Sequence, residues 1–334
     1  MKKEDKVTAE AICAAPYGFT YKEYAGALGE EEAKRSFSAL YGRNCGKSRA
    51  TLSVKNVYKG TDTDKYLFEL PDGKFIETVC IKRRDGATVC VSTQVGCPVG
   101  CVFCESGRNG FVRNLTPSEI VQQVILIPRK VTRIVFMGMG EPLFNYDSVI
   151  QAIHVLRDRN GLNFPTDGIT ISTTGPLDRL KWLREEHLKI QLTLSLHATT
   201  QAVRNRLIPG TKNYPIEEVV DAVLSYSERH NRKVVIAYLL LPGINDKPSD
   251  VRNLARWFHG KNVMINVLEY NKTSNSAIRK PSEREMTDFK HRLEAAGLEV
   301  TMRVSHGGSI KAACGQLANR YNVRKKSKEY QKNV

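Results

Sequence analysis

The stretch Gly96-Cys97-Pro98-Val99-Gly100-Cys101-Val102-Phe103-Cys104 decides the fold and the chemistry that we expect of this 334-residue chain. It follows a short apolar strand and places three cysteines on one tight loop in the spacing C-x-x-x-C-x-x-C. Three thiolates with this spacing can hold three irons of a [4Fe–4S] cluster and leave the fourth iron without a protein ligand. An open iron is what a radical enzyme needs in order to bind and cleave S-adenosylmethionine.

Zinc is the alternative metal for such a loop. Structural zinc takes four ligands, usually from paired C-x-x-C units, and this loop contains no fourth Cys or His. We therefore predict that Cys97, Cys101 and Cys104 hold an iron–sulfur cluster.

Composition and charge limit the classes of protein to which this chain can belong. With 41% hydrophobic and 26% charged residues, the chain has the composition of an ordinary globular protein. It contains no apolar run that could span a bilayer and no secretory signal, so we expect a cytoplasmic protein with no membrane partner. Its 51 Lys and Arg against 35 Asp and Glu give a net charge of +16, which favours RNA or DNA as a partner over a merely solubilising surface.

Strand and helix signals alternate from Thr88 onward. Continuous apolar strands such as residues 234–240 indicate a parallel sheet covered by helices. One helix start is explicit, because Thr116-Pro117-Ser118-Glu119 forms a capping box, and we expect this helix to end near residues 129–130. About six β-α units are too few for an eightfold barrel. The sequence therefore predicts an α/β fold, a partial (β/α)6 barrel.

A second motif follows the strand at residues 133–137. Gly138, Gly140 and Glu141 come where parallel α/β folds bind ligands, at the carboxyl end of a strand. Glycines let a ligand approach the backbone, and a carboxylate can bind the amino group of S-adenosylmethionine. A plain strand-to-helix turn is the alternative interpretation.

Taken together, the motifs resemble the RlmN/Cfr family of radical S-adenosylmethionine RNA methyltransferases from about Tyr66 to Leu317. The matching pieces, in chain order, are Ile76-Glu77-Thr78, Cys90-Val91-Ser92-Thr93-Gln94-Val95-Gly96-Cys97, Gly138-Met139-Gly140-Glu141-Pro142, Ser195-Leu196-His197-Ala198 and Ala312-Ala313-Cys314-Gly315-Gln316-Leu317. Members methylate adenine carbon 2 (RlmN type) or carbon 8 (Cfr type) in 23S rRNA, and some RlmN members also act on tRNA.

The resemblance implies a radical-SAM barrel, a [4Fe–4S] cluster and S-adenosylmethionine as cofactors, and RNA as the substrate. It also implies an electron donor such as flavodoxin or ferredoxin, and we expect a monomer. On this basis we divide the chain into an N-terminal RNA-binding module with a β-hairpin (residues 1–80), a core barrel (81–320) and a basic tail (321–334). The residues that match the S-adenosylmethionine site of the family are Gly140, Glu141, Ser172, Ser195, Leu196, His197 and Asn271.

Three further residues acquire roles only through the resemblance. Cys314 would become an S-methylcysteine, whose methyl carbon is activated by a radical from a second S-adenosylmethionine and added to the adenine. Cys90 would resolve the protein–RNA adduct by forming a transient disulfide with Cys314. Glu77 would accept the ring proton, although on sequence alone it is expected to be a solvent-facing strand residue.

The sequence also bears on which adenine carbon is methylated. Pro142 favours carbon 2, whereas carbon-8 enzymes tend to carry Ala at that place. After the cluster cysteines this chain has Glu105-Ser106-Gly107, where most members have Ala-Thr-Gly.

Two other functions remain as alternatives. One is a radical enzyme that acts on a protein or a small molecule, and it would have no use for Cys90 or Cys314. The other is a non-catalytic RNA-binding protein with structural zinc.

Overall fold

The computed structural model of the protein describes residues 52–108, 110–158, 162–275, 277–303 and 306–317. Residues 1–51 of the predicted N-terminal module and the basic tail at 321–334 lie outside these ranges. Among the described helices, none is both long and apolar enough to cross a bilayer.

One ten-stranded sheet organises the described chain, in the spatial order β1-β2-β3-β4-β7-β8-β9-β10-β11-β12. Its strands are β1 Ser53–Lys59, β2 Thr63–Glu69, β3 Phe75–Arg83, β4 Gly86–Cys90, β7 Val131–Phe136, β8 Ile169–Thr173, β9 Gln191–Ser195, β10 Val234–Leu239, β11 Val263–Leu268 and β12 Val300–Arg303. A separate antiparallel pair consists of β5 Gln94–Gly96 and β6 Phe111–Asn114.

From β4 to β12 every neighbouring pair of strands in the large sheet is parallel. Six crossovers connect these seven strands, as the predicted partial (β/α)6 barrel requires. The helices are α1 Glu105–Arg108, α2 Pro117–Ile125, α3 Tyr146–Arg157, α4 Leu177–Glu185, α5 Gln201–Leu207, α6 Ile216–His230, α7 Pro248–Phe258 and α8 Glu283–Ala295. Helix α6 buries an apolar stripe formed by Ile216, Val219, Val220 and Val223.

The local signals set most of the helix boundaries. The capping box at Thr116 and Glu119 is confirmed, because each side chain bonds the backbone N–H of the other residue. The helix ends at Ile125, however, and not near residues 129–130 as predicted. Pro128 disfavours helical backbone at the residue before it, so the last turn closes at Leu126.

The predicted hairpin is confirmed as β2 and β3, which pair antiparallel with Leu67 opposite Glu77. Together with β1 and β4 they form an antiparallel half of the same sheet. Because β3 runs from Phe75 to Arg83, the boundary at residue 80 falls inside a strand, and the division into a module and a core stays a prediction.

Candidate active site

A cavity of about 240 Å³ lies between the carboxyl-terminal parts of the parallel strands. All but two of the predicted site residues line it, namely Cys90, Cys97, Cys101, Cys104, Gly140, Glu141, Ser172, Ser195, His197, Asn271 and Cys314. The two exceptions are Leu196, which is buried behind the wall, and Glu77. The structure therefore brings residues from opposite ends of the chain to one site, as ligand binding at strand ends requires.

The three cysteines of the cluster loop are brought together at this cavity. Burial raises the pKa of Cys97 to about 12, and burial together with the neighbouring thiols raises the pKa of Cys101 well above its usual range. Thiolates here thus need a compensating positive charge, which metal ions supply. Within the described part of the chain, no three His, Cys, Asp or Glu side chains converge to hold one metal ion. Three separate thiols fit a cluster, where each binds a different iron.

Glu141 is buried at the turn after β7. Its carboxylate accepts four hydrogen bonds, from Leu143 N (3.0 Å), Thr173 Oγ1 (2.6 Å), Thr174 N (2.8 Å) and Thr174 Oγ1 (2.9 Å). Burial raises the pKa of Glu141, and these donors oppose the rise. Since four donors occupy the acceptor positions of a carboxylate, a cofactor amino group would have to displace one of them.

The glycines of the same turn allow it to pack closely against residues 91–94. A Cβ on Gly138 would lie 2.6 Å from the Val91 carbonyl oxygen, and one on Gly140 would lie 2.7 Å from Thr93 Oγ1. Gly140 also has a φ of 105°, which a side chain would strain. The backbone of this turn therefore needs glycine even before any ligand approaches.

His197 is a buried, neutral imidazole. Its Nδ1 accepts a hydrogen bond from Leu239 N at 3.0 Å, so the ring proton lies on Nε2. Burial lowers the pKa of His197 to about 3, and the Arg204 charge contributes. Its φ of 54° is uncommon outside glycine and is typical of a constrained functional position.

The Cys314 segment is bonded to Glu105 and Ser106, the two residues that directly follow the cluster cysteines. Glu105 N donates to Gly315 O at 2.8 Å, and Ser106 Oγ donates to Leu317 O at 2.8 Å. Asn271 Nδ2 adds a bond of 3.3 Å to Cys314 O. Ser106 thus replaces the family's threonine without losing a hydroxyl at this contact.

Neither Cys90 nor Cys314 is joined in a disulfide, and the two residues differ in exposure. Cys90 ends β4 and is buried, whereas Cys314 is exposed at the cavity. Burial raises the pKa of Cys104, and the nearby Cys314 thiol adds to the rise. Cys314 therefore lies beside the predicted cluster and on the same cavity as Cys90.

The expectation that Glu77 faces solvent is wrong. Glu77 is only 3% exposed, because β3 lies between β2 and β4 and nearly every residue of this strand is covered. Its Oε1 lies 2.8 Å from Lys65 Nζ. Residues two apart on a strand share a face, so Glu77 lies on the same face as Val79 and Ile81, which do line the cavity.

Arg204 holds the backbone behind the cavity wall, and the sequence did not predict this role. It is completely buried, and its guanidinium donates to Leu196 O at 2.6 Å, to Ser195 O at 3.2 Å and to Thr174 O. Burial lowers the pKa of Arg204 to about 10, while Cys101 and Glu141 oppose that shift. In sequence, an arginine in a polar helical segment is typical of a surface position, so no pattern indicated this role.

Comparisons with known proteins agree with this site. The Radical SAM superfamily matches residues 91–258. The chain is 48% identical to a "Probable RNA methyltransferase" of Rhodopseudomonas palustris, over 83% of this chain and 77% of that protein. It is 42% identical to the "Probable dual-specificity RNA methyltransferase RlmN" of Dictyoglomus turgidum, over 78% of this chain and 77% of that protein.

A solved structure gives the same answer. The crystal structure of a radical SAM methyltransferase from Sphaerobacter thermophilus superposes with a TM-score of 0.81 at 33% identity, covering 91% of this chain and 99% of that one. The chain therefore belongs to the radical SAM superfamily and, within it, to the RlmN/Cfr family of S-adenosylmethionine-dependent RNA methyltransferases.

Proposed function

We propose that this protein methylates carbon 2 of adenine in 23S rRNA, and in tRNA as well, by way of an S-methylcysteine at Cys314. The observation that carries the proposal is that Cys90 and Cys314 line the same cavity as the three cluster cysteines. A radical enzyme that acts on proteins or small molecules needs the three cluster cysteines but has no need of Cys90 and Cys314. Pro142 supports carbon 2 over the alternative, carbon 8, and relatives named dual-specificity RlmN support two RNA substrates.

Membership of the superfamily implies a [4Fe–4S] cluster and S-adenosylmethionine. Cys97, Cys101 and Cys104 would hold the cluster, which when bound supplies the electron that splits S-adenosylmethionine into a carbon radical. The residues that would bind S-adenosylmethionine beside it are Gly140, Glu141, Ser172, Ser195, Leu196, His197 and Asn271. Ser172 Oγ and Ser195 Oγ lie 3.3 Å apart across neighbouring strands and could share one polar group of this ligand.

Cys314 would carry the carbon that reaches the base. Direct transfer from a sulfonium is closed to adenine carbon 2, because that carbon is electrophilic. A thiolate can accept the methyl group by simple displacement, and exposure lets Cys314 meet both S-adenosylmethionine and RNA. The loop bonds to Gly315 and Leu317 would hold this thiol beside the cluster.

Cys90 and Glu77 would then free the RNA. Glu77 accepts the proton from carbon 2 while the C–H electron pair stays on the ring, and the unpaired electron left by the radical addition would return to the redox chain of the cluster and its donor. The Cys90 thiolate attacks Cys314 sulfur, so an S–S bond forms while the S–C bond breaks and leaves its electrons on carbon, which takes up a proton to complete the methyl group. A thiol reductant must open the disulfide before the next turnover, which suits a reducing cytoplasm.

The net charge and the family resemblance support RNA as the substrate and a flavodoxin or ferredoxin as the electron donor. The net charge of +16 suits a polyanionic substrate, and residues 1–80 would form the part that contacts RNA beyond the active site. A flavodoxin or ferredoxin would deliver the electrons. We propose a cytoplasmic monomer.

Replacement of Cys90 tests the proposal directly. With reconstituted Cys90→Ala protein and unmodified 23S rRNA and tRNA transcripts, we expect RNA covalently linked to Cys314, visible on a denaturing gel and by peptide mass spectrometry. The matched control is Cys80→Ala, since Cys80 is a buried free thiol on the adjacent strand and does not line the cavity.

The control variant should turn over normally and give no linked species. Absence of linked RNA with Cys90→Ala, or its presence with Cys80→Ala, would exclude the resolving role of Cys90. Mass spectrometry of the wild-type product separates 2-methyladenosine from 8-methyladenosine and so decides the target carbon.

A further inference from the structure

Lys65 has an unusual position for a lysine. It is only 7% exposed, and its ammonium lies 2.8 Å from Glu77 Oε1, donates to Lys311 O at 3.2 Å and lies 5.0 Å from the centroid of the Tyr58 ring. Burial of a lone ammonium is costly, so these partners are what makes the position tolerable. Glu77 is the proposed proton acceptor, and Lys311 lies three residues before Cys314.

Sheet register brings Lys65 to the cavity side. Lys65 pairs with Val79 on β3, and Val79 pairs with Cys90 on β4. Paired residues on neighbouring strands share a face, so Lys65, Val79 and Cys90 form one row across the antiparallel half of the sheet. Glu77 lies on that face too, two residues from Val79. The lysine therefore occupies the same face as the proposed base and the proposed resolving thiol.

The second bond reaches the loop that carries Cys314. Lys311 has a φ of 53°, so its backbone is held in the left-handed region, and Ala312 N bonds Gly307 O at 2.9 Å in the same turn. A side chain rarely adopts this conformation without support from its surroundings. The Lys65 ammonium supplies such support by binding the Lys311 carbonyl oxygen directly.

We infer that Lys65 is a positioning residue, which orients the Glu77 carboxylate beneath the Cys314 loop. This inference rests on the proposed function. The Lys65 bond fixes the position of Glu77 Oε1, and a general base acts only when its oxygen is held within reach of the proton. When the ring proton reaches Glu77, the C–H bond breaks and leaves its electron pair on the ring, and an O–H bond forms. The lysine acts on the adduct stage and has no part in methylating Cys314.

Three variants of the full-length, reconstituted enzyme test this role. Lys65→Met removes the charge at nearly constant length, and Lys65→Arg retains it. The matched control is Lys82→Met, because Lys82 Nζ also bonds one carboxylate and one carbonyl, Asp64 Oδ1 and Gly60 O, each at 2.8 Å. Lys82 touches neither Glu77 nor the Cys314 loop in these contacts.

Methylation of Cys314 and release of RNA from the adduct are measured separately, with unmodified rRNA and tRNA transcripts as substrates. For Lys65→Met we expect S-methylation of Cys314 within about two-fold of wild type, turnover to methyladenosine lowered about 100-fold, and covalent RNA–protein adduct accumulating. Lys65→Arg should recover turnover to within about 10-fold of wild type. Lys82→Met should stay within about two-fold and accumulate no adduct.

A double variant guards against a merely structural effect. If Lys65 acts through Glu77, adding Lys65→Met to Glu77→Gln lowers turnover by less than about two-fold further. Equal losses in Lys65→Met and Lys82→Met, loss of Cys314 methylation in Lys65→Met, or full additivity in the double variant would each overturn the inference. If wild-type protein forms no S-methylcysteine at all, the proposed function itself fails, and the wild-type arm alone reveals this.

Discussion

The antiparallel half of the sheet (β1–β4) and the parallel half (β7–β12) hold their buried charges in different ways. In the antiparallel half, each buried carboxylate faces an ammonium. Glu77 lies 2.8 Å from Lys65, and Asp64 lies 2.8 Å from Lys82. These charges are neutralised by opposite charges on neighbouring strands.

The parallel half relies on neutral partners. Glu141 is bonded by amides and hydroxyls, the Arg204 guanidinium by three backbone carbonyls, and the neutral His197 ring by one backbone amide. Fixed dipoles of this kind orient a group rigidly and do not need to reorganise. This difference fits the proposed function, in which the parallel half binds and orients ligands and the antiparallel half, which holds Glu77 and Cys90, releases the RNA from the adduct.

Removing a thiol of the cluster loop, or the thiol of Cys314, should give the largest effects. We expect both Cys104→Ala and Cys314→Ala to abolish formation of methyladenosine, one by losing a cluster ligand and the other by losing the carbon carrier. Their spectra should differ, since only Cys104→Ala should lose the brown absorption near about 400 nm that thiolate-bound clusters show. Retention of turnover in Cys314→Ala, measured by mass spectrometry of the RNA, would refute the proposed role of Cys314 as the carbon carrier.

Substitution of the buried glutamates, Glu77 in the antiparallel half and Glu141 in the parallel half, should give smaller effects that differ in kind. Glu77→Gln should lower turnover by about 10²–10⁴-fold, as loss of a general base does, and leave the affinity for S-adenosylmethionine nearly unchanged. Glu141→Gln should instead weaken that affinity by about 10-fold or more, because its amide nitrogen would meet N–H and O–H donors and disturb the strand ends. Equilibrium binding and turnover at saturating S-adenosylmethionine separate these outcomes, and equal loss of affinity in both variants would contradict them.

Local patterns made much of this fold predictable. The capping box at Thr116, the hairpin turn at Pro71-Asp72-Gly73 and the alternation of strands and helices depend on residues close in sequence. The cluster loop and the turn at Glu141 were also predictable, because ligands of parallel α/β folds bind at strand ends. These features carry their signals within a few residues.

Features decided by distant neighbours could not be predicted from the chain. Glu77 is buried because strands lie on both sides of β3, and Lys65 meets a carbonyl 246 residues away in sequence. Arg204 lies in a polar helix and gains its role from carbonyls on two strand ends. A charged residue in a polar stretch is typical of a surface, and only tertiary contacts reverse that expectation.

The smallest effect that we predict concerns pH and the parallel half. Burial lowers the pKa of His197 to about 3, whereas histidine in an unfolded chain has its ordinary value near about 6.5. Between these values the unfolded chain binds a proton that the folded protein excludes. The contribution of His197 to the free energy of unfolding is therefore complete above pH ~6.5 and declines as the pH falls toward ~3, by about 2 kcal/mol between pH ~7 and pH ~5.

His197→Asn isolates this contribution from that of other groups. Asparagine tolerates the left-handed backbone at this position, and its Oδ1 can accept the Leu239 N–H, but it does not titrate. In urea unfolding of the full chain at several pH values, the drop in stability on acidification should therefore be about 2 kcal/mol smaller in the variant than in wild type. Equal drops would mean that His197 takes up a proton in the folded protein, and the parallel half would then not hold its buried groups by neutral partners alone.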